Sequence, residues 1–387
     1  MTDTQLEQAF SLPTNFKIRE VSSLTALRPA LTTLPTLGPL AAFAGTFKGN
    51  GFNTIFRPQN PTTPTPLPIP QPASDNILEL NLTEETMSFS SSLGSVPNRG
   101  FVQGDIFING VPYLQSVSDV TVPSQPVAIH LEPGLWLCVP PTTDPALTQT
   151  VARLASIPHG TTIEAQGTAS VAAGKPTIPP VDITPFFIGD PANKVPFPSQ
   201  TAATGGTARI PQDLTPFITA GTITQAMLSD PNTLLRNHIA TQNILSTTTL
   251  SISTGPSLPL FGGGTDNIAF LEGNPAASAP NANAIQMTAT FWIETVQHII
   301  TIPVFRPGQP PLTIHAPTGE AGQPVAQFLV SPPHEIVAPH TITFNTTQIQ
   351  YTQTVFLNFG PLTWPHVSVA TLVPAVAIPV PPSAWTP

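Results

Sequence analysis

Residues 105–117, Asp105-Ile-Phe-Ile-Asn-Gly-Val-Pro-Tyr-Leu-Gln-Ser-Val117, carry the pattern on which the fold reading turns. Residues 105–109 and 111–117 are β-type runs on either side of Asn109-Gly110. That pair is the strongest short hairpin signal, because both residues tolerate the positive φ values of a two-residue turn. Similar units lie on both sides. Residues 45–57 (GTFKGNGFNTIFR) read as a strand with small residues where neighbouring backbone comes close. Residues 77–90 read as the next strand. Runs at 127–132 and 135–139 surround a Pro133-Gly134 kink, and runs at 151–157 and 161–166 surround His159-Gly160. Hairpins in series at this spacing predict a meander that closes into an antiparallel β-barrel.

Composition points the same way. The 387-residue chain has 50 prolines and only 9% charged residues, against roughly 25% in an ordinary soluble domain. Proline removes a backbone donor and fixes φ, so long helices do not survive this density, whereas short strands joined by rigid turns do. The fold class is mostly β. A net charge of −9 with 12 Lys+Arg excludes a nucleic-acid partner, since a phosphate backbone needs clustered cations. The single cysteine, Cys138, excludes an intramolecular disulfide framework and a CxxC metal site. Residues 1–10 (MTDTQLEQAF) lack the basic-then-apolar pattern of a signal peptide. The apolar tract at 369–380 is too short to span a bilayer and is interrupted by Pro374 and Pro379. A cytoplasmic location is the default expectation, and the sequons at Asn81 and Asn345 then carry little weight.

The organisation expected from these patterns is an N-terminal arm at 1–36, the first part of the barrel at 37–167, a loop-rich insertion at 168–285, and completing strands with a Pro-rich tail at 286–387. The run at 58–72 (PQNPTTPTPLPIPQP) reads as a polyproline-like loop. In the insertion, Asp230 and Pro231 mark the start of a short helix over 233–240. Asp182-Ile-Thr-Pro-Phe186 is echoed by Asp213-Leu-Thr-Pro-Phe217, a pair too short to indicate a solenoid.

A barrel interior is the natural place for a ligand. Alternation in the last strand puts His366, Ser368, Ala370 and Leu372 on one face and Val367, Val369 and Thr371 on the other. The small neighbours of His366 leave space for something bulky, such as a flat macrocycle coordinated by a ring nitrogen; a hydrogen-bonded strand-end histidine fits as well. His130 and Glu132 share a face, and an Arg153–Glu132 pair tying adjacent strands accounts for both charges. His334-Glu335 is not part of HExxH because position 338 is Ala, and His298, His315 and His340 lack metal-ligand spacing. No serine sits in GxSxG, and Gly262-Gly263-Gly264 has neither GKS nor a βαβ frame.

Four segments in order resemble the nitrobindin-like haem-binding β-barrels, relatives in architecture of fatty-acid-binding proteins and lipocalins. Gly45-Thr46-Phe47-Lys48-Gly49-Asn50-Gly51 is similar to that family's Gly-x-Trp-x-Gly-x-Gly, with Phe47 in the tryptophan's place. His130-Leu131-Glu132-Pro133-Gly134-Leu135-Trp136 is similar to its His-x-Glu-x-Gly-(Phe/Tyr/Leu)-Trp segment, and residues 158–164 to its Pro-x-Gly-x-x-Glu hairpin with one extra residue. Residues 351–372 resemble its closing strands, Pro365-His366 and Ala370-Thr371-Leu372 falling in place. The resemblance covers 40–167 and 286–373, and neither the arm nor the insertion. It implies haem b with His366 as the proximal iron ligand, Phe47, Trp136, Ser368 and Ala370 around the cofactor, and His159 and Arg57 as polar groups near the reacting face. Such a centre binds nitric oxide and isomerises peroxynitrite to nitrate, or is peroxidase-like where distal donors favour it. Two rivals stand beside it. One is a lipocalin-like carrier of an apolar small molecule. The other is a non-catalytic assembly protein, whose apolar last strand is covered on its outer face by the insertion or by a second copy in a homo-oligomer.

Overall fold

The computed structural model of the chain describes residues 35–57, 67, 76–196, 198–202, 208–255, 263–274, 280–317 and 322–385. Residues 1–34 of the expected arm, and all of the run at 58–72 except residue 67, lie outside them. Ten strands form one closed antiparallel barrel. In chain order they are β1 (Gly45–Arg57), β2 (Ile77–Phe89), β3 (Ile106–Asp119), β4 (Val127–Val139), β5 (Thr150–Ile157), β6 (Thr161–Ala173), β7 (Asn243–Ser253), β8 (Asn283–Ile302), β9 (His340–Phe359) and β10 (Leu362–Pro374). Each pairs with the next, and β10 returns to β1 with Phe47 opposite Pro374 and Thr54 opposite Val367. Closure of the ring satisfies the edges that an open sheet leaves unpaired.

Asn109-Gly110 is not a turn. Strand β3 runs straight through it, Asn109 opposite Cys138 and Gly110 opposite Leu137. The Asn109 carboxamide is spent elsewhere: Oδ1 accepts from the Gly94 and Gly110 amides at 3.0 and 2.8 Å, and Nδ2 donates to the Pro35 carbonyl at 2.8 Å. A Cβ on Gly110 would lie 2.3 Å from the Trp136 carbonyl oxygen. The glycine serves close approach of two strands rather than a left-handed turn. Pro133-Gly134 likewise lies inside continuous β4. His159-Gly160 does turn the chain, with Gly160 at φ 108°.

The range 168–285 is not all insertion. Strand β6 continues to Ala173, and β7 is a barrel stave between β6 and β8. A register shift between Ile244 and Ser246 explains why its alternation was hidden. Ile244 joins the outer core whereas Leu250 and Ile252, an even number of residues on, join the inner one.

What lies between β6 and β7 covers the outer wall. Ile178, Ile183, Leu214, Leu228, Leu235 and Ile239 pack against Phe52, Leu80, Trp292, Val367 and Val369 of the staves. The outward apolar residues of β10, Val367 and Val369, are thus covered by the chain's own cap, while Ala370 and Leu372 pack inside the barrel. Three short helices build it: α1 (Thr215–Ala220), α2 (Gln225–Ser229) and α3 (Asn232–Ile239). Asp230 accepts the Asn232 amide at 3.1 Å and pairs with Arg236, which sets the start of α3. In both copies of the Asp-x-Thr echo the aspartate accepts the amide two residues on, Thr184 at 2.8 Å and Thr215 at 2.9 Å. Gln350 Nε2 donates to the Leu235 carbonyl at 3.2 Å and Thr352 bonds Asn232, so α3 is tied to β9 by polar bonds within the apolar contact.

The long strands β8 and β9 also overrun the barrel. Ile300, Ile302 and Phe344 pack there against Phe328 and Val330, within a three-stranded sheet of Leu312–His315, Gln327–Val330 and Ile378–Pro379. Among the described residues no helix is long and apolar enough to cross a membrane.

Glu294 of β8 belongs to the core and is 1% exposed. Gln348 Nε2 donates to its Oε2 at 2.6 Å, while Oε1 has no partner. Burial pushes the carboxyl from 4.5 up to about 8. A raised folded-state pKa contributes stability that is complete below pH 4.5 and lost as pH rises through 8. Glu294→Gln is therefore expected to match the wild type in urea denaturation near pH 4 and to exceed it at pH 9. Identical pH dependence of the two proteins would contradict this.

Candidate functional site

Side-chain alternation divides the barrel interior into a filled half and a hollow one. Along the inner face of β10, Leu372 and Ala370 belong to the packed core, and Ser368 and His366 line a cavity. The packed half receives Leu40 and Phe43 from the chain leading into β1, together with Phe47, Phe89, Trp136 and Phe291. Phe43 stacks on Phe89 with centroids 4.4 Å apart, and Trp136 meets Phe291 edge-on at 5.1 Å. Each buried phenylalanine contributes about 1.5–3 kcal/mol, so this end of the barrel is a solid plug.

The other half holds a chamber of about 250 Å³. Most of its lining residues carry a polar group, although apolar atoms make up more of the wall: Asn53 from β1, Glu85 from β2, Gln115 from β3, His130 from β4, Tyr351 and Gln353 from β9, and His366 and Ser368 from β10, with His159 at the β5–β6 turn. Ile55, Val117 and Ile129 supply the aliphatic part. A short helix, α4 (Ala269–Glu272), is held at that turn by the Ile268 amide donating to the Gly160 carbonyl at 2.9 Å.

Arg153 joins plug to chamber. It is 1% exposed, and its Nε donates to Tyr113 Oη at 2.7 Å, its Nη1 to Gln353 Oε1 at 2.7 Å and its Nη2 to Glu132 Oε1 at 2.5 Å. The guanidinium carbon lies 5.3, 5.4 and 5.8 Å from the ring centroids of Phe291, Tyr113 and Trp136, within range for cation–π attraction. Tyr113 bonds Glu132 as well, and His130 Nε2 lies 3.2 Å from the second carboxylate oxygen. Burial would raise the Glu132 pKa; the adjacent guanidinium and the bonds from His130 and Tyr113 overcome it and bring the group down to about 2. The expected Arg153–Glu132 pair is present, as the centre of a five-residue network with Tyr113, Gln353 and His130 rather than a simple strand tie.

Glu85 is the second buried carboxyl of the barrel interior. Tyr351 Oη donates to its Oε2 at 2.6 Å and Gln115 Nε2 at 3.3 Å, while Thr83 Oγ1 donates to Oε1 at 3.1 Å. A Cβ on Gly51 would stand 2.9 Å from Glu85 Oε1, so the glycine makes room for this side chain. Burial raises the Glu85 pKa against the pull of those three donors and of the charge of His130.

The imidazoles stand on the same chamber. Among the described residues His366 Nδ1 is buried and makes no hydrogen bond of good geometry, the Thr54 backbone being its polar neighbour. Desolvation, aided by the charges of His130 and His159 and opposed by the Thr54 backbone, holds His366 down to about 4. At neutral pH it is an uncharged imidazole. Burial also lowers His159, whose ring centroid is 5.6 Å from that of His130.

Of the residues expected at the site, His366, His159 and Ser368 line one chamber. Phe47, Trp136 and Ala370 lie in the packed half. Arg57 is 46% exposed, pairs with Glu79 at 3.5 Å and does not line the chamber. Glu85, Gln115, Tyr351, Gln353 and Asn53 were not anticipated. Their signal was phase: Glu85 falls in step with Met87 and Phe89, and Gln115 with Val111 and Tyr113. A polar residue in the apolar phase of a strand is a wall group of an internal cavity or a buried bond. Among the described residues no three His, Cys, Asp or Glu side chains are grouped to hold a metal ion.

No family model and no curated protein matches the chain. A solved structure, the crystal structure of Rv2717c from M. tuberculosis, aligns with 88% of this chain and 98% of its own at 11% identity and a TM-score of 0.33. The barrel assignment rests on the strand pairing and not on that likeness.

Removing one partner of a buried ion pair strands the other charge. Arg153→Met is expected to lose about 3–5 kcal/mol in denaturant unfolding at pH 7, and Arg153→Met with Glu132→Gln to recover much of it. Because the Glu132 pKa falls from 4.5 to about 2 on folding, its contribution is complete above pH 4.5 and disappears as pH falls through 2. A single variant as stable as wild type would show that the network does not hold the barrel.

Proposed function

We propose that the protein is a ligand-binding β-barrel that encloses a compact molecule carrying hydrogen-bonding groups. One observation carries the reading. The chain fills one half of its barrel with aromatic rings and keeps the other as a 250 Å³ chamber walled by imidazoles, amides, hydroxyls and a carboxyl. Ligand sites combine shape with a few convergent polar groups, and here the polar groups converge from β1, β2, β3, β4, β9 and β10.

A second reading is haem b on His366, with peroxynitrite isomerase or peroxidase-like chemistry. The neutral imidazole favours it, since an axial ligand must be unprotonated. The chamber around that imidazole does not fit the macrocycle. Its volume is below the ~300–1,000 Å³ of sites for drug-sized molecules. Glu85, Gln115 and Gln353 occupy wall positions where a porphyrin face needs apolar contact, and Phe47 and Trp136 are already packed against other side chains. No chemical step is assigned to haem on this geometry.

Two measurements decide between the readings. A panel of compact polar fragments is expected to raise the melting temperature of the wild type and not of Ser368→Phe, which fills the chamber; ligands that bind only the folded state stabilise it. No shift across the panel, or equal shifts in both proteins, would overturn the reading. Protein given haem is expected to show no Soret band; a band lost in His366→Ala would establish the second reading instead.

A further inference from the structure

Glu85 differs from Glu132, the other buried carboxylate of the barrel interior, in having no cation at ion-pair distance; His130 acts on it only from farther off. Glu132 is paired with Arg153, and the other ion pairs among the described residues join Arg57 to Glu79, Arg99 to Asp105, Lys194 to Asp182, Arg236 to Asp230 and Arg306 to Glu335. Glu85, 2% exposed, has only the uncharged donors Tyr351, Gln115 and Thr83. Buried charges are ordinarily paired, because the cost of leaving water is otherwise uncompensated.

Hydrogen-bond directions favour the ionised form. Gln115 Nε2 can only donate, and it donates both to Glu85 Oε2 and, at 3.0 Å, to Tyr351 Oη. The tyrosine oxygen thereby has its acceptor side used and its own proton directed at the carboxylate. Three donors fix the orientation of Glu85, and Gly51 leaves it space. Glu85 also lines the chamber, so a group inside the cavity can reach its environment.

We propose that the chamber selects a small protonated amine, whose ammonium becomes the direct ion-pair partner that the protein does not place against Glu85. This rests on the reading of the chamber as a ligand site and names the class of ligand. Across the chamber, His366 and His159 are held towards the neutral form, so they offer lone pairs to N–H donors without repelling a cation. His130 lies by Glu132, and Arg153 is committed to Glu132, Tyr113 and Gln353. Ile55, Val117 and Ile129 offer contact to a short carbon skeleton. Burial tends to protonate Glu85 in the empty chamber, and an ammonium beside it favours the ionised carboxylate, so binding weakens as pH falls.

The probes are n-butylammonium and 1-butanol, equal in length and different in charge, titrated calorimetrically into the full chain at pH 7. The wild type is expected to bind the ammonium at least tenfold more tightly than the alcohol. Glu85→Gln is expected to lose that preference and still bind the alcohol. Tyr351→Phe, which removes a neutral donor that favours the ionised carboxylate, is expected to weaken the preference without abolishing it, and it serves if Glu85→Gln does not fold. An ammonium bound no better than the alcohol by the wild type, or a preference that survives Glu85→Gln, would overturn the assignment. If both probes bind equally and Ser368→Phe excludes both, only the amine assignment fails and the ligand chamber stands. If neither binds and the fragment panel is also silent, both readings fail.

Discussion

The buried contact between Arg153 and Glu132 is the constraint around which the interior is arranged. A ring of ten strands encloses more space than its backbone can fill, and side chains must occupy it or leave a cavity. A guanidinium inside such a ring needs its donors met and its charge balanced. Arg153 meets both needs by facing two ways. Its π-faced surroundings, Tyr113, Trp136 and Phe291, belong to the aromatic plug, while its bonds to Glu132 and Gln353 reach the polar half. The boundary between a dry core and a chamber is therefore set by a charge network rather than by a gap in packing.

The outer wall follows a parallel logic. Its apolar staves are covered by the cap between β6 and β7, and the polar residues among them are bonded to the backbone or side chains of α3. A non-catalytic assembly role drew its support from apolar residues on both faces of β10. The cap and the barrel core account for those residues within one chain, so they no longer call for a second copy.

The class of fold was legible because proline load and alternating strands limit the choice strongly. Strands β1 and β2 were read with nearly their observed bounds, and the inward phase of His366, Ser368, Ala370 and Leu372 was read from alternation alone. Turn chemistry misled at Asn109-Gly110, where local preference for a hairpin lost to a strand pairing that needed a glycine for close approach. The register shift in β7 concealed a stave, since it breaks the period on which strand reading depends. The chamber was half legible. Histidines attract notice in a chain this poor in charge, whereas Glu85, Gln115 and Gln353 are informative only once it is known which phase of each strand points inward. The family resemblance drew Phe47 and Trp136 to the ligand. Their bulk serves the plug, and a packed aromatic and a pocket wall look alike in sequence.

The barrel's polar half holds a chamber whose deep wall groups, Glu85, Gln115 and Tyr351, are removed from bulk water, with His159 at its exposed rim. A nitrogen-detected NMR titration of the His366 imidazole tests it most directly, because that ring has no charged bond of its own and reports chiefly on desolvation. The account predicts a neutral ring through the physiological range and protonation only near pH 4. Protonation near the ordinary 6.5 would show a water-filled, open mouth and contradict it.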